Sequence, residues 1–188
     1  MLTHLRHALT LLLCFSLLTG VAYPLAVTGL ALLALPTQAG GSLITESGRV
    51  IGSALIGQPF VSEKYFHGRP SAAGTGYDAA ASSGSNLGPT SAKLHEQIRQ
   101  RLVALQASNP GVTVPGELVY ASASGLDPDV SPAAAAFQIP RIAAARGLTS
   151  AQLQALVAQH SRPRALGFLG EPTVNVLALN RALDQLKP

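Results

Sequence analysis

Tryptophan is absent, and cysteine occurs once, at Cys14. A single thiol excludes an intrachain disulfide, and no Cys/His spacing suggests a zinc site, so a folded domain here must hold by packing alone. Charge is sparse as well: thirteen Lys and Arg against nine Asp and Glu leave a formal charge of +4, with the basic residues scattered. Without a Lys/Arg run interleaved with aromatics, nucleic-acid binding has little support. No Walker A loop is present; the nearest string, GSALIGQ at 52–58, lacks the Lys-Ser/Thr that reaches phosphates and magnesium. Nor is there a G-x-S-x-G elbow. His67, His95 and His160 lie far apart, and none shares metal-ligand spacing with another His or a carboxylate. No catalytic residue and no metal ligand is assigned.

What the chain does have is a long uncharged segment. Residues 8–35 contain no ionisable side chain except Cys14 and Tyr23, and are mostly Leu, Ala, Val and Phe. At about 1.5 Å per residue this exceeds the roughly 20 residues that span a hydrocarbon core. A cleaved signal peptide, with Thr37-Gln38-Ala39 as a loose small-x-small site, competes, but signal h-regions run only about 7–15 residues. A retained helix over 8–36 is the expectation. Arg6, the α-amino group, His4 and His7 precede it, whereas 37–48 carries only Glu46. The positive-inside rule then puts residues 1–7 in the cytoplasm, a linker over 37–48 and a single exported domain over 49–188. Tyr23-Pro24 interrupts the helix, since Pro removes an intrahelical hydrogen bond and usually kinks the axis. Gly20 and Gly29, with Thr19 and Thr28, let another helix approach closely; a lone anchor with a harmless kink fits these residues equally. One uncharged span cannot line an ion path, so any transport belongs to other chains.

The exported part alternates short strand and helix signals. Residues 49–60 read as one or two strands and 63–66 as another, while the Gly/Ser/Ala/Pro-rich stretch 68–88 reads as a long surface loop. Thr90 is a candidate N-cap for a helix starting at Lys93, with Leu94, Ile98, Leu102 and Leu105 on one face and Asn109-Pro110-Gly111 as its stop. Residues 117–122 read as a strand. A helix from Ser131-Pro132 to Arg146-Gly147 follows, with Pro140 expected to kink or split it. Thr149 caps a third helix through His160, with Leu153, Leu156 and Val157 inward. Residues 166–169 read as a weak strand. Thr173 is the expected cap of a last helix buried through Val176, Leu177, Leu179, Ala182 and Leu183. The sum is α+β, with a small sheet and about four helices after the membrane segment.

Asp127, Asp129 and Ser131 mimic the start of a calcium loop, but Pro132 and Gln138 stand where its glycine and glutamate belong. A turn at Asp127-Pro128 and a helix cap at Ser131 explain them better. Three polar strings, GRPSA (68–72), SGSNLGPTS (83–91) and SASGLDPDVSP (122–132), gather small residues with amide and hydroxyl donors. Such segments dock a partner's backbone or bind an anion at a helix N-terminus, and ordinary turn chemistry accounts for them too.

The strings YFHGRPSA (65–72), GSNLGPT (84–90), SASGLDPDVSP, FQIPRIAAARGL (137–148) and NVLALNRALD (175–184), in that order and after the Tyr23-Pro24-Leu25 motif, resemble the KdpC family, the C subunits of Kdp-type potassium-transporting ATPases. Ser91 and Asp129 depart from residues frequent in that pattern. The resemblance implies an accessory, non-catalytic subunit in high-affinity, ATP-driven potassium uptake at the bacterial inner membrane. Its implied partners are a channel-like subunit and a P-type ATPase subunit. It further implies a catalytic chaperone that raises the ATPase subunit's affinity for ATP, with a glutamine involved, for which Gln138 is the candidate. No covalent cofactor is implied. Gly68, Arg69, Pro70, Asn86, Ser124, Asp127 and Arg141 are the partner-contact candidates, and Gly20, Tyr23, Pro24 and Gly29 those for membrane-helix packing. An exported domain cannot touch cytosolic ATP, so either the orientation is the reverse or the effect on nucleotide affinity is indirect, through the transmembrane helices; a cap over the channel's outer mouth is the expected primary role. The rival reading is a membrane-anchored exported binding protein or hydrolase acting alone; a purely structural stabiliser is the third.

Overall fold

A computed structural model describes residues 2–186; the α-amino group counted in the charge bias lies outside them. Helices α1 (Leu2–Leu17) and α2 (Tyr23–Ala34) are joined through a π-helical turn, Leu18–Ala22, into one helical run, Leu2–Ala34. That run is long and apolar enough to cross a membrane, and none of its residues is buried. Pro24 neither breaks nor ends it. The wide turn absorbs the ring: the Tyr23 N–H reaches back five residues to the Leu18 carbonyl. The Thr19 hydroxyl donates to the Phe15 carbonyl at 2.7 Å, a second local adjustment just before the proline. A Cβ added at Gly20 or Gly29 meets no atom within 4 Å.

Leu35 leaves helical geometry ahead of Pro36, as a residue before proline tends to. A single turn, α3 (Pro36–Ala39), precedes a hairpin of β1 (Leu43–Glu46) and β2 (Arg49–Ser53). Ser47 and Gly48, both at positive φ, make its two-residue turn. The segment expected to be a linker thus supplies a strand. The chain divides into two compact units between Ser53 and Ala54.

The second unit is α+β. Its helices are α4 (Ala92–Ser108), α5 (Pro132–Arg146), α6 (Ser150–His160) and α7 (Val176–Gln185). Its sheet is small and antiparallel, ordered β3 (Asp129–Val130), β5 (Thr173–Asn175), β4 (Ser161–Arg162). Val174, on the central strand, pairs with Val130 on one side and Ser161 on the other and is fully buried. Around it the core gathers Phe66, Ile142, Leu153, Leu179 and Leu183, all inaccessible to water.

Caps account for the helix boundaries. Ser131 receives the Ala134 N–H at 3.1 Å, and Thr149 with Gln152 closes a full capping box. Gly147, at φ 68°, ends α5 in a left-handed cap. Pro140 leaves α5 unbroken: the carbonyl it orphans belongs to Ala136, which like Pro140 is exposed, so solvent can reach that group.

Five local expectations need correction. Ser91, not Thr90, caps α4, and the helix starts at Ala92. Asn175 caps α7, because Thr173 is drawn into the strand between β3 and β4. Residues 63–66 form no ladder: the chain turns there, with the Tyr65 N–H on the Ser62 carbonyl, and side chains take the carbonyls. Residues 117–122 hold part of a 3-10 turn, Gly116–Leu118, in place of a strand. Residues 166–169 form a tight loop closed by one bridge between Ala165 and Leu169.

Candidate functional site

Residues 62–65 make a turn, closed by the Tyr65 N–H on the Ser62 carbonyl at 3.1 Å, and 66–70 run on without a neighbouring strand; side chains supply what a ladder would. Five consecutive carbonyls each accept from one. Arg141 donates to Glu63 and, at 2.9 Å, to Tyr65; Arg146 Nε donates to Lys64 at 2.7 Å. Asn180 donates to Phe66 at 2.9 Å, and Gln138 to His67 at 3.0 Å. The two amides also accept in return, from the N–H groups of Phe66 and His67, each at 2.8 Å. An amide side chain carries both a donor and an acceptor, so it can match the N–H and the carbonyl of one residue together. Gln138 and Arg141 stand three apart on α5 and so share one face, and Gln138 Oε1 also accepts from Arg141 at 3.0 Å.

The segment continues into the polar loops. Arg69 pairs with Asp127 at 3.0 Å, and its carbonyl accepts from the Tyr77 hydroxyl. Arg69 Nε is buried with no hydrogen-bond partner among the described residues. Burial, with the Asp127 carboxylate second, pushes the Tyr77 phenol up to about 12. A Cβ on Gly68 would stand 2.6 Å from the Tyr77 hydroxyl, so a larger residue there has to displace that hydroxyl from the Arg69 carbonyl. Pro70 accepts from Ser122 N–H at 3.2 Å, and Ser124 from Ser83 N–H at 3.0 Å, which ties the 68–88 loop to the 122–127 loop. Ser124 is exposed, as is Asn86, which holds left-handed backbone at φ 52°. Gly68, Arg69, Pro70, Asp127, Gln138 and Arg141 are therefore brought together, whereas Asn86 sits farther out along the loop.

Three contributors escaped the reading of the sequence: Asn180, Tyr77 and Arg146. Asn180 had a signal, a polar residue inside the buried stripe of α7, between Leu179 and Leu183. Arg146 also pairs with Asp184 at 2.7 Å and lies 4.7 Å from the Tyr65 ring centre. Asp127, Asp129 and Ser131 are spent on a turn, an ion pair with Arg162 and the α5 cap.

A cavity of about 250 Å³ opens beside this framework, lined in part by His67, Arg101, Leu105, Phe137, Gln138 and Arg141. Its two guanidinium groups already hold backbone carbonyls, Arg101 that of Val119 at 2.8 Å. Burial lowers the pKa of both.

Burial also lowers the His67 pKa from 6.5, helped by Arg141, against the opposing hydrogen bond to the Ser62 carbonyl and the Glu63 charge. Unfolded chain therefore takes up a proton first, near pH 6.5, and the stability His67 contributes is present above that pH. It is lost as pH falls from 6.5 through the lowered folded value. Thermal unfolding between pH 7.5 and 5 should show that decline, and His67→Gln should flatten it; an unchanged slope would rule His67 out as its source.

The strings that converge here recur in known proteins. Residues 5–185 match the family described as KdpC: K+-transporting ATPase, c chain. The chain is 57% identical, over its whole length and 96% of the relative, to the potassium-transporting ATPase KdpC subunit of Caulobacter vibrioides. It is 55% identical to that of Rhodopseudomonas palustris over the full length of both chains. Rhodospirillum rubrum has one at 57%, covering all of this chain and 98% of the relative. With family strings from four separate stretches assembled into one hydrogen-bonded framework, and a match across nearly every residue, the chain belongs to the KdpC family, the c chains of the K+-transporting ATPase.

Proposed function

We propose that this chain is a non-catalytic accessory subunit of a high-affinity, ATP-driven potassium uptake complex in the bacterial inner membrane. It crosses once, with its N-terminus cytoplasmic and its second unit outside. There it assists assembly and caps the outer mouth of a channel-like subunit. It serves as catalytic chaperone to the P-type ATPase subunit indirectly, through the transmembrane helices. Gln138 contributes by positioning the 63–70 segment.

The observation that supports this reading is how the conspicuous polar side chains are used. Gln138, Asn180, Arg141 and Arg146 hold backbone, which suits a fixed docking surface better than turnover of a substrate. A solitary anchored hydrolase or binding protein would run alone after detergent extraction, whereas a subunit carries large membrane partners with it. A pure stabiliser would leave ATP titration of the complex unchanged on its removal.

Topology is tested with Ser82→Cys, an exposed position, in a Cys14→Ser background. A membrane-impermeant thiol reagent should label it in intact cells. Labelling only after the cytosol is opened would defeat the cap.

A further inference from the structure

Between β4 and β5 the chain leaves the domain surface for ten residues, 163–172, and returns to pair Arg162 with Thr173. At its tip Leu166 is 81% exposed, Phe168 70% and Leu169 50%. Three adjacent large apolar side chains in water are costly, and chains that keep such a cluster usually have a use for it.

The tip is not slack chain. Ala165 and Leu169 exchange N–H and carbonyl in both directions at 2.9 Å, and Gly167 N–H reaches the Arg164 carbonyl at 3.1 Å. Leu166 takes φ 53°, a conformation that L residues seldom adopt, and Gly167 follows at φ 82°. These bonds hold the loop in one shape and so lower the ordering cost of binding.

The charges at its base distinguish the occupants. Arg162 pairs with Asp129 at 3.0 Å, and Arg164 with Glu171 at 2.6 Å. Both guanidinium groups are matched by carboxylates of the same chain, so the loop offers little net charge to anionic headgroups. Interfacial anchors combine apolar burial with free cations. A rigid apolar knob above a charge-balanced rim instead fits the centre-and-rim pattern of a protein interface.

Resting on the subunit reading above, we infer that the 163–172 loop is a docking knob whose Leu166, Phe168 and Leu169 fill an apolar recess on the exported face of an adjoining membrane subunit.

The test uses the co-expressed complex with an affinity tag on its ATPase subunit. With p-benzoylphenylalanine in place of Phe168, irradiation should join this chain to one large membrane subunit. The double variant Leu166→Ser, Phe168→Ser should reduce retention of this chain on the tagged complex by about tenfold or more, as loss of a buried anchor does. Its unfolding midpoint, measured on the full chain in detergent, should stay at the wild-type value. Undiminished retention of the double variant, or a photoadduct only with lipid or with a second copy, would overturn the knob while leaving the subunit reading intact. A lowered midpoint would mean the tip packs within its own domain, which also overturns it. If the wild-type chain is not retained at all, the subunit reading falls, and the knob with it.

Discussion

Asn180→Ala should lower the unfolding midpoint of the full chain in detergent by roughly 10 °C or more. Asn180 is 1% exposed, and it alone satisfies both the N–H and the carbonyl of Phe66, itself inaccessible to water. Truncation strands one buried donor and one buried acceptor, at about 1–3 kcal/mol each. Their sum, about 2–6 kcal/mol, is a large share of the stability of a domain this size. Gln138→Ala is the informative comparison. It also unpairs one residue's N–H and carbonyl, but His67 is only half-buried, so water can replace part of what is lost. The smaller drop should therefore belong to Gln138. Equal drops, or a change under about 1 kcal/mol for Asn180→Ala, would show that these amides do not stand in for a ladder.

Gly125→Ala should produce the other large effect, with its origin in backbone. Gly125 has φ 67°, and a Cβ there would lie 2.6 Å from the Ala73 nitrogen and 2.7 Å from the Ser83 carbonyl oxygen. Neither obstacle is a side chain that can turn away. Left-handed strain and overpacking each cost on the order of 1–3 kcal/mol. The relief open to the chain is to separate the 68–88 loop from 122–127. Hydrogen exchange at the Ser83 and Ser122 amides, bonded to Ser124 and Pro70, should then quicken well beyond the rest of the domain. Gly88→Ala is the matched control: nothing lies within 4 Å of its added Cβ and its φ is ordinary, so the change should stay within about 0.5 kcal/mol. Unaltered exchange at both amides in Gly125→Ala would mean the loops are not interlocked there.

Much of this was legible before any coordinates. The membrane-length helix, the Ser131 and Thr149 caps, the stop at Asn109 and the inward faces of α6 and α7 all rest on signals contained within one helix length. Local signals misled where a distant partner decided the outcome. Thr173 and Asn175 are both good caps, and the choice between them follows from β3 and β4 claiming residues 173–175 as strand. Residues 63–66 have a strand's composition, yet their hydrogen-bond partners come from α5 and α7, more than seventy residues away in sequence.

The candidate site divides along the same line. Gln138, Arg141, Arg69 and Asp127 stood out individually; helical spacing put Gln138 and Arg141 on one face, but nothing said that the pair meets the segment that carries Arg69. Asn180 was not among the residues assigned to the buried stripe of α7.

By itself the sequence determined the membrane-length apolar helix, the later helices with the caps of α5 and α6, and the family, because hydrophobic period, capping chemistry and ordered motifs are short-range properties of the chain. Only the tertiary structure decided that residues 63–70 need no neighbouring strand and that the three polar loops interlock. The reason is that a buried backbone group must be satisfied by whichever donor or acceptor the fold carries to it, and sequence distance does not determine which that will be.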